Sequence, residues 1–183
     1  MNIKVEDMEI KLNKLSGLEN KVTHLESTLN GLKSQVDNSK DAITLASANY
    51  KGSHYFVTEQ RYGNAQEANR LCQLYGGYLV EINDRQEFDF VTDFLFNQSV
   101  SHPEIIGAWV GATDEGHEGS WRFMTSGGNM STLVWQHLEP SGGAGENCMN
   151  IEIPFKVMND YPCFRGDGMH LQAILCEIPH RNV

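Results

Sequence analysis

Oxygen-bearing side chains gather in the second half of the sequence, around a long segment rich in Gly and Ser. Glu139-Pro140-Ser141 is followed by Glu146-Asn147 and then, beyond a cysteine, by Asn159-Asp160. The three carboxylates of these motifs exceed the charge of a divalent cation, and Ser and Asn add neutral oxygens. Such hard ligands suit Ca²⁺, which takes about six to eight oxygens. The pattern predicts a Ca²⁺ site with positions left for backbone carbonyls, water or a ligand.

Two other interpretations of these acidic residues stay open. Scattered carboxylates in a Gly-rich loop are often only solvated, and from composition alone that interpretation is the stronger. Glu139 and Glu146 could also form the carboxylate pair of a glycoside hydrolase, which needs one carboxyl with a raised pKa. Carboxylates crowded around Ca²⁺ would instead have lowered pKa values and would be poor acids near neutral pH. We therefore do not expect an enzyme.

Net charge and cysteine content limit the binding partners and the cellular location that the protein can have. The formal net charge of −10 argues against nucleic acid or an anionic membrane as the main partner. No apolar run approaches the length of a membrane span, and Met1 leads into a charged segment rather than a signal peptide. The four cysteines lie after residue 70 without a CxxC pair, which favours two disulfides and an oxidising compartment. We expect a secreted or extracellular protein whose signal peptide is absent from this chain.

Residues 1 to about 46 carry the heptad repeat of a coiled coil. The apolar a positions are Met8, Leu15, Val22, Leu29, Val36 and Ile43, and the apolar d positions are Leu18, Leu25 and Leu32. In a parallel arrangement Lys14 would face Glu19 and Lys21 would face Glu26, and both pairs are attractive. A solitary amphipathic helix packed on its own domain is the alternative. The core residues do not separate a dimer from a trimer.

From about Asn49 onwards the periodicity becomes that of an α+β domain. One helix is predicted to begin after Asn64 and to end at Gly76-Gly77, and a second to begin at Asn83 or Asp84. The strand-like segments are residues 50–57, 78–82, 108–111, 120–123, 147–151 and 171–177. The loop of residues 124–146 is long for a compact domain, and such loops are usually functional or disordered.

From about residue 55 to 177, this sequence resembles a C-type lectin domain. The landmarks of that family occur here in order. They are Cys72, Gly77-Tyr78-Leu79-Val80, Trp109-Val110-Gly111, Thr113-Asp114-Glu115, Glu118-Gly119, Trp121, Trp135, Glu139-Pro140-Ser141, Glu146-Asn147-Cys148, Met158-Asn159-Asp160, Cys163 and Ile174-Leu175-Cys176-Glu177. Each landmark is weak alone, but the ordered set with its four cysteines is specific.

The resemblance implies a C-type lectin-like α+β fold with two helices, short antiparallel sheets and a long calcium-binding loop. This domain would occupy residues 50–180, after a coiled-coil oligomerisation helix of residues 1–46. The resemblance also selects one of the three possible cysteine pairings, Cys72–Cys176 with Cys148–Cys163. It further implies a cis peptide bond between Glu139 and Pro140.

The ligands of the site are also carried over by resemblance. In this family the primary Ca²⁺ site uses Glu-Pro-Asn, a downstream Glu and Trp-Asn-Asp, and the same side chains bind the sugar. The corresponding positions here are Glu139, Ser141, Glu146, Asn159 and Asp160. A second Ca²⁺ site would draw on Asp114, Glu118 and Glu146. Its remaining positions hold Gly142 and Asn147, so we expect low occupancy there.

Two departures from the family pattern bear on binding. Ser141 stands in place of Asn and Met158 in place of Trp. Asn offers both a carbonyl oxygen and an amide N–H, whereas Ser offers one short hydroxyl. The Glu-Pro form, rather than Gln-Pro-Asp, resembles lectins for mannose-type sugars with equatorial 3- and 4-hydroxyls. With Ser141 we expect weaker or broader binding.

Together these features predict a calcium-dependent carbohydrate-binding lectin, with mannose-type glycans as its expected ligands. The coiled coil would make it a multivalent homo-oligomer, with a trimer favoured and a dimer possible, of the kind that serves innate immunity. The alternative is a C-type-lectin-like domain that binds a protein or another surface without sugar.

Two further sequence features have ordinary explanations. Arg165-Gly166-Asp167 matches an integrin-recognition tripeptide, although such tripeptides usually arise by chance. Trp109, Trp121 and Trp135 could form a sugar-stacking platform, but aromatic residues among strands are more often core. We expect the three tryptophans to be core residues.

Overall fold

The computed structural model describes residues 2–164 and 171–179, with the backbone alone for residues 2–7. Arg165-Gly166-Asp167 therefore lies outside the described residues. The helices of the described part are α1 (Asn2–Ile43), α2 (Ala65–Leu74) and α3 (Arg85–Ser101). Its strands are β1 (Thr44–Tyr50), β2 (Ser53–Tyr62), β3 (Tyr78–Leu79), β4 (Gly107–Thr113), β5 (Arg122–Phe123), β6 (Cys148–Glu152), β7 (Val157–Tyr161) and β8 (Gln172–Ile178).

The chain divides into two compact units, Met1–Ala42 and Ile43–Val183. The first unit is the long N-terminal helix that the heptad pattern predicts. The helix ends at Ile43, slightly before the predicted boundary near residue 46, because Thr44–Tyr50 pairs as a strand with β2. Leu18, Leu25 and Leu29 each expose 60% to 66% of their surface. No helix of the described part of the chain is long and apolar enough to span a membrane.

The second unit contains one mixed sheet rather than the separate short antiparallel sheets that we expected. The strand order is β1-β2-β8-β4-β6-β7, and β3 and β5 pair with β8 and β4 at its sides. The pairs are antiparallel except for β4 with β8, which is parallel. The β1–β2 hairpin turns at Lys51 and Gly52, whose φ angles of 45° and 88° give the positive φ values that a tight right-twisted hairpin requires.

The two helices of this unit begin at well-formed caps. The side chain of Asn64 accepts from the backbone N–H groups of Gln66 and Glu67, and Asp84 accepts from that of Glu87. Such caps satisfy the backbone donors that the first turn of a helix leaves unpaired. The sequence prediction of both helix starts is therefore confirmed.

Apolar side chains on both faces of the sheet form the core. One cluster includes Phe88, Val91 and Leu95 of α3. The other includes Ala68 and Cys72 of α2. Trp109 and Trp121 are buried and Trp135 is partly buried against the core, which confirms that they are core residues.

Two disulfides join the elements, and both have the predicted pairing. Cys72–Cys176 links α2 to β8 across a sequence separation of 104 residues. Cys148–Cys163 links the start of β6 to the segment after β7. Closing a loop as long as the first stabilises a fold by about 4.7 kcal/mol in the chain-entropy model. The second disulfide ties together the two strands that flank the candidate site.

Candidate functional site

The predicted site lies where the long loop between β5 and β6 meets β7. The backbone N–H of Met158 donates to Val134 O at 2.6 Å, and that of Gln136 donates to Met158 O at 2.8 Å. These bonds lay the loop alongside β7, so residues just after Gln136 approach Asn159 and Asp160. The peptide bond between Glu139 and Pro140 is cis, as predicted.

Asp160 holds the loop at the two residues that follow this proline. Its carboxylate is 2% exposed. Oδ1 accepts from the backbone N–H of Ser141 at 3.1 Å, and Oδ2 accepts from that of Gly142 at 2.8 Å. Hydrogen bonds to a carboxylate contribute more than neutral ones, about 1.5 to 3 kcal/mol each. Asp160 is thus a structural anchor of the loop as well as a predicted metal ligand.

Glu139 and Asp160 form a pair of neighbouring carboxyl groups. Burial raises the pKa of Glu139, and the adjacent Asp160 raises it further, while the hydroxyl and backbone N–H of Ser141 oppose the rise. Glu139 Oε2 is buried without a hydrogen-bond partner among the described residues. Two adjacent carboxylates repel unless a proton or a cation lies between them. A cation bound between the two carboxyl groups would balance their negative charge and would bind the unpartnered oxygen of Glu139.

Glu146 reaches the same turn from the other end of the loop. It follows a short 3₁₀ turn, Gly143–Gly145, and its side chain lies directly over the α-carbon of Gly142. A Cβ atom at position 142 would collide with the Glu146 carboxylate. Gly142 thus touches two of the predicted ligands, Asp160 through its N–H and Glu146 through its α-carbon.

Asn159 is oriented by a neighbour that the sequence did not single out. Its Nδ2 donates to Oε1 of Glu152 at 3.3 Å, and its Oδ1 is buried without a hydrogen-bond partner in the described part of the structure. With its amide nitrogen turned towards Glu152, Gln136 donates to both carboxylate oxygens at 3.1 Å. Gln136 and Glu152 therefore fix which end of the Asn159 amide is left to accept.

The described contacts do not bring all five predicted ligands into one cluster. Glu139, Ser141 and Asp160 contact one another, and Glu146 joins them through Gly142. Asn159 is next in sequence, but successive residues of a strand point to opposite faces. The residues described here contain no group of three or more His, Cys, Asp or Glu side chains placed to hold a metal ion. The all-oxygen donor set and the unpartnered Glu139 Oε2 nevertheless fit Ca²⁺ chemically.

At the predicted second site, Asp114 is held by the loop that follows it. Asp114 is 3% exposed, its Oδ2 accepts from the backbone N–H of Gly119 at 2.8 Å, and its Oδ1 has no hydrogen-bond partner among the described residues. Glu118 is exposed on the same loop. These contacts give Asp114 a role in shaping the loop of residues 114–119.

Comparison with known proteins gives one consistent result. The family model described as the lectin C-type domain matches residues 62–177. A perlucin-like protein of Mytilus galloprovincialis is 34% identical over 99 residues, which cover 54% of this chain and 61% of that protein. Asialoglycoprotein receptor 2 of Mus musculus is 33% identical over 121 residues, covering 62% of this chain and 36% of the receptor. The chain thus spans less than two thirds of the length of both relatives.

Solved structures show the same fold. Human lithostathine superposes with a TM-score of 0.62 at 22% identity, covering 74% of this chain and 98% of that one. Herring type II antifreeze protein superposes with a TM-score of 0.59 at 22% identity, covering 75% of this chain and 98% of that one. At this level of identity the likeness concerns the fold alone.

Proposed function

The chain belongs to the C-type lectin family, a non-enzymatic carbohydrate-binding fold, and we propose on this premise that it is a calcium-dependent lectin for mannose-type glycans. One observation carries the proposal. The carboxyl groups of Glu139 and Asp160 lie together beside the cis peptide bond, and Glu139 Oε2 is buried without a hydrogen-bond partner among the described residues. A buried unpaired carboxylate oxygen is costly, and a bound cation would relieve that cost.

The proposed ligands of Ca²⁺ are Glu139, Ser141, Glu146, Asn159 and Asp160. When bound, Ca²⁺ supplies a positive charge with open coordination positions for two vicinal hydroxyls of a sugar. The protein would hold those hydroxyls with Glu139 and with Asn159, whose Oδ1 is turned away from Glu152. Asp160 would anchor the loop through Ser141 and Gly142 while facing Glu139.

Ser141 explains why we propose weak or broad sugar binding. Its hydroxyl and backbone N–H both lower the pKa of Glu139, against the effect of burial, which places Ser141 beside that carboxylate. A single short hydroxyl offers a sugar less than the amide of Asn, which has two donors and an acceptor.

The N-terminal helix would make the lectin multivalent. The apolar a and d positions of α1 form an exposed stripe in the single chain, and Leu25 and Leu29 each expose 66% of their surface. We propose that parallel copies of the helix cover this stripe in a trimer or a dimer, with Lys14 facing Glu19 and Lys21 facing Glu26. Linked weak sites raise the effective concentration of a second contact and thereby the avidity.

The location of the protein belongs to the same proposal. Two disulfides with no free cysteine among the described residues suit an oxidising compartment. We propose that the protein acts outside the cell.

A second candidate function is binding of a protein or another surface without sugar. Two observations favour it. Both oxygens of Asp160 already accept backbone N–H groups, and Ser141 and Met158 replace two residues of the family's sugar-binding motifs.

A glycan array probed with the full-length protein separates the two functions. The proposed lectin should bind mannose-type glycans in Ca²⁺ and lose them in EGTA. Absence of glycan binding in both conditions would support the second function instead.

A further inference from the structure

Two Asn-x-Ser tripeptides lie at the surface of the domain, and the proposed lectin function uses neither of them. They are Asn97-Gln98-Ser99 in α3 and Asn129-Met130-Ser131 in the loop that follows β5. Asn97 and Asn129 are both exposed. An Asn-x-Ser tripeptide whose middle residue is not Pro is an acceptor for an N-linked oligosaccharide in a secreted protein. The two acceptors share this pattern but differ in backbone conformation.

The loop acceptor presents its Asn and its Ser on one side of the chain. The side chain of Met130, between them, is 6% exposed and belongs to the larger core cluster. Asn129 and Ser131 are exposed on either side of it, which is the alternation of an extended backbone. Because residues two apart on such a backbone project to the same side, the Asn129 amide and the Ser131 hydroxyl project together into solvent.

Backbone contacts hold this conformation in place. Asn129 forms an antiparallel bridge with Arg122, the first residue of β5. The backbone N–H of Met130 donates to Trp121 O at 3.0 Å. Met130 cannot turn outwards without leaving the core, so the Asn129 side chain stays on the outer surface.

The residues before Asn129 leave room for a large attached group. The stretch of residues 125–128 is exposed throughout. A Cβ atom at Gly127 would meet no described atom within 4 Å, so the space beside that glycine is open. An oligosaccharide attached to Asn129 would extend into solvent without displacing a core side chain.

The helical acceptor has a different geometry. Residues two apart in an α-helix are separated by about 200° around its axis, so Asn97 and Ser99 project to different sides of α3. The Ser99 hydroxyl also donates to Phe96 O at 2.8 Å. The preceding Leu95 is fully buried, which holds this part of α3 against the core. Asn97 and Ser99 would therefore face one enzyme together only if α3 unwound locally.

We propose that Asn129 is an N-glycosylation site and that it is modified more fully than Asn97. The donor is an oligosaccharide diphosphate. Asn129 Nδ2 forms a bond to the anomeric carbon of the oligosaccharide, the bond from that carbon to the diphosphate breaks and its electrons leave with the diphosphate, and Nδ2 loses one proton. The inference rests on the proposed extracellular location and is independent of the proposed calcium and sugar binding.

The test expresses the full-length chain behind a secretory signal peptide in mammalian cells. Protein with both disulfides formed is recovered from the lumen or the medium, and its glycans are released by peptide-N-glycosidase in H₂¹⁸O. The enzyme converts each modified Asn to Asp with one ¹⁸O atom, so mass spectrometry measures the two acceptors separately. Ser131→Ala removes the hydroxyl of the loop acceptor, and Ser131→Thr is the matched control that keeps a hydroxyl at this position.

Wild type and Ser131→Thr should carry an oligosaccharide on Asn129 in most molecules, with an occupancy at least twofold higher than that of Asn97. Ser131→Ala should carry none on Asn129, and its occupancy of Asn97 should equal that of wild type. An unmodified Asn129 in wild type, or equal occupancy of the two acceptors, would overturn the proposal. If mannoside binding by the same protein is EGTA-sensitive while Asn129 is unmodified, the glycosylation site is wrong and the lectin function stands.

Discussion

Asp160 Oδ2 accepts a hydrogen bond from the backbone N–H of Gly142 at 2.8 Å. This bond joins a predicted metal ligand to the turn on which another, Glu146, lies. The geometry of the loop and the proposed cation binding are therefore linked through Gly142, a residue that has no side chain.

Gly142→Ala should weaken Ca²⁺ binding. The backbone of Gly142 has φ −79° and ψ −10°, which any residue adopts, so the effect comes from the collision of the new methyl group with Glu146. Displacing one carboxylate ligand should cost on the order of tenfold in Ca²⁺ affinity, or about 1.4 kcal/mol. Gly145→Ala is the control, because a Cβ atom there meets no described atom within 4 Å. Equal Ca²⁺ affinities of the two variants by calorimetry would contradict the assignment of Glu146.

Ser141→Asn should tighten binding of methyl α-mannoside. The variant restores an amide that can donate to a sugar hydroxyl, and one such hydrogen bond contributes about 0.5 to 1.5 kcal/mol, or up to about tenfold in affinity. Ser120→Asn, at an exposed position, controls for general effects of the substitution. Unchanged or weaker mannoside binding by Ser141→Asn would show that the loop does not present this position to the sugar.

Glu177 should make the domain more stable as the pH falls towards mild acidity. Burial raises the pKa of this carboxyl and the charge of Glu87 adds to the rise, while hydrogen bonds from the Ser53 hydroxyl and the Glu81 backbone N–H oppose it. The folded state therefore binds the proton more tightly than the unfolded state. Its stabilising contribution is fully present below the unfolded pKa and is lost as the pH rises through the folded one.

Thermal melts from pH 7 to pH 5 in EGTA test this. Between pH 7 and pH 5, the Tm of wild type and of the exposed control Glu59→Gln should rise relative to the Tm of Glu177→Gln. The Glu177→Gln variant has no proton to bind at this position. Parallel Tm curves for Glu177→Gln and wild type would contradict the account.

Leu25→Glu should dissociate the oligomer. Leu25 is a d residue with 66% of its surface exposed in the single chain, and the variant would bring like charges together at the centre of the proposed seam. Asn30→Glu places the same charge at a b position, away from the seam. Light scattering should give an oligomeric mass for wild type and Asn30→Glu and a lower mass for Leu25→Glu. A monomeric wild-type protein would remove the coiled-coil proposal.

Local signals in the sequence were enough to predict the helices of the fold. The heptads predict α1, and the capping residues Asn64 and Asp84 predict the starts of α2 and α3. Two strands were missed. Thr44–Tyr50 continues directly from the heptad region, and Val157–Tyr161 combines polar and apolar residues in too short a run to show clear alternation.

Prediction of the candidate site required information that local sequence patterns do not contain. The disulfide pairing and the cis peptide bond came from resemblance to a family. The orientation of Asn159 by Glu152, and the place of Asn150 beside it, follow from the register between β6 and β7. Nothing in the sequence alone specifies that register, although the period of two in a strand would place Asn150 and Glu152 on one face once β6 is known.

The central claim is that sugar and Ca²⁺ bind at one site around Glu139 and Asp160. Calorimetric titration of methyl α-mannoside into the full-length protein, in saturating Ca²⁺ and then in EGTA, tests it most directly. Asp160→Asn keeps an acceptor for the loop but removes the charge, and its Tm in EGTA verifies that it is folded. Wild type should bind the mannoside in Ca²⁺ and not in EGTA, and Asp160→Asn should bind it in neither condition. Undiminished mannoside binding by wild type in EGTA would contradict it, because the sugar would then bind independently of the metal.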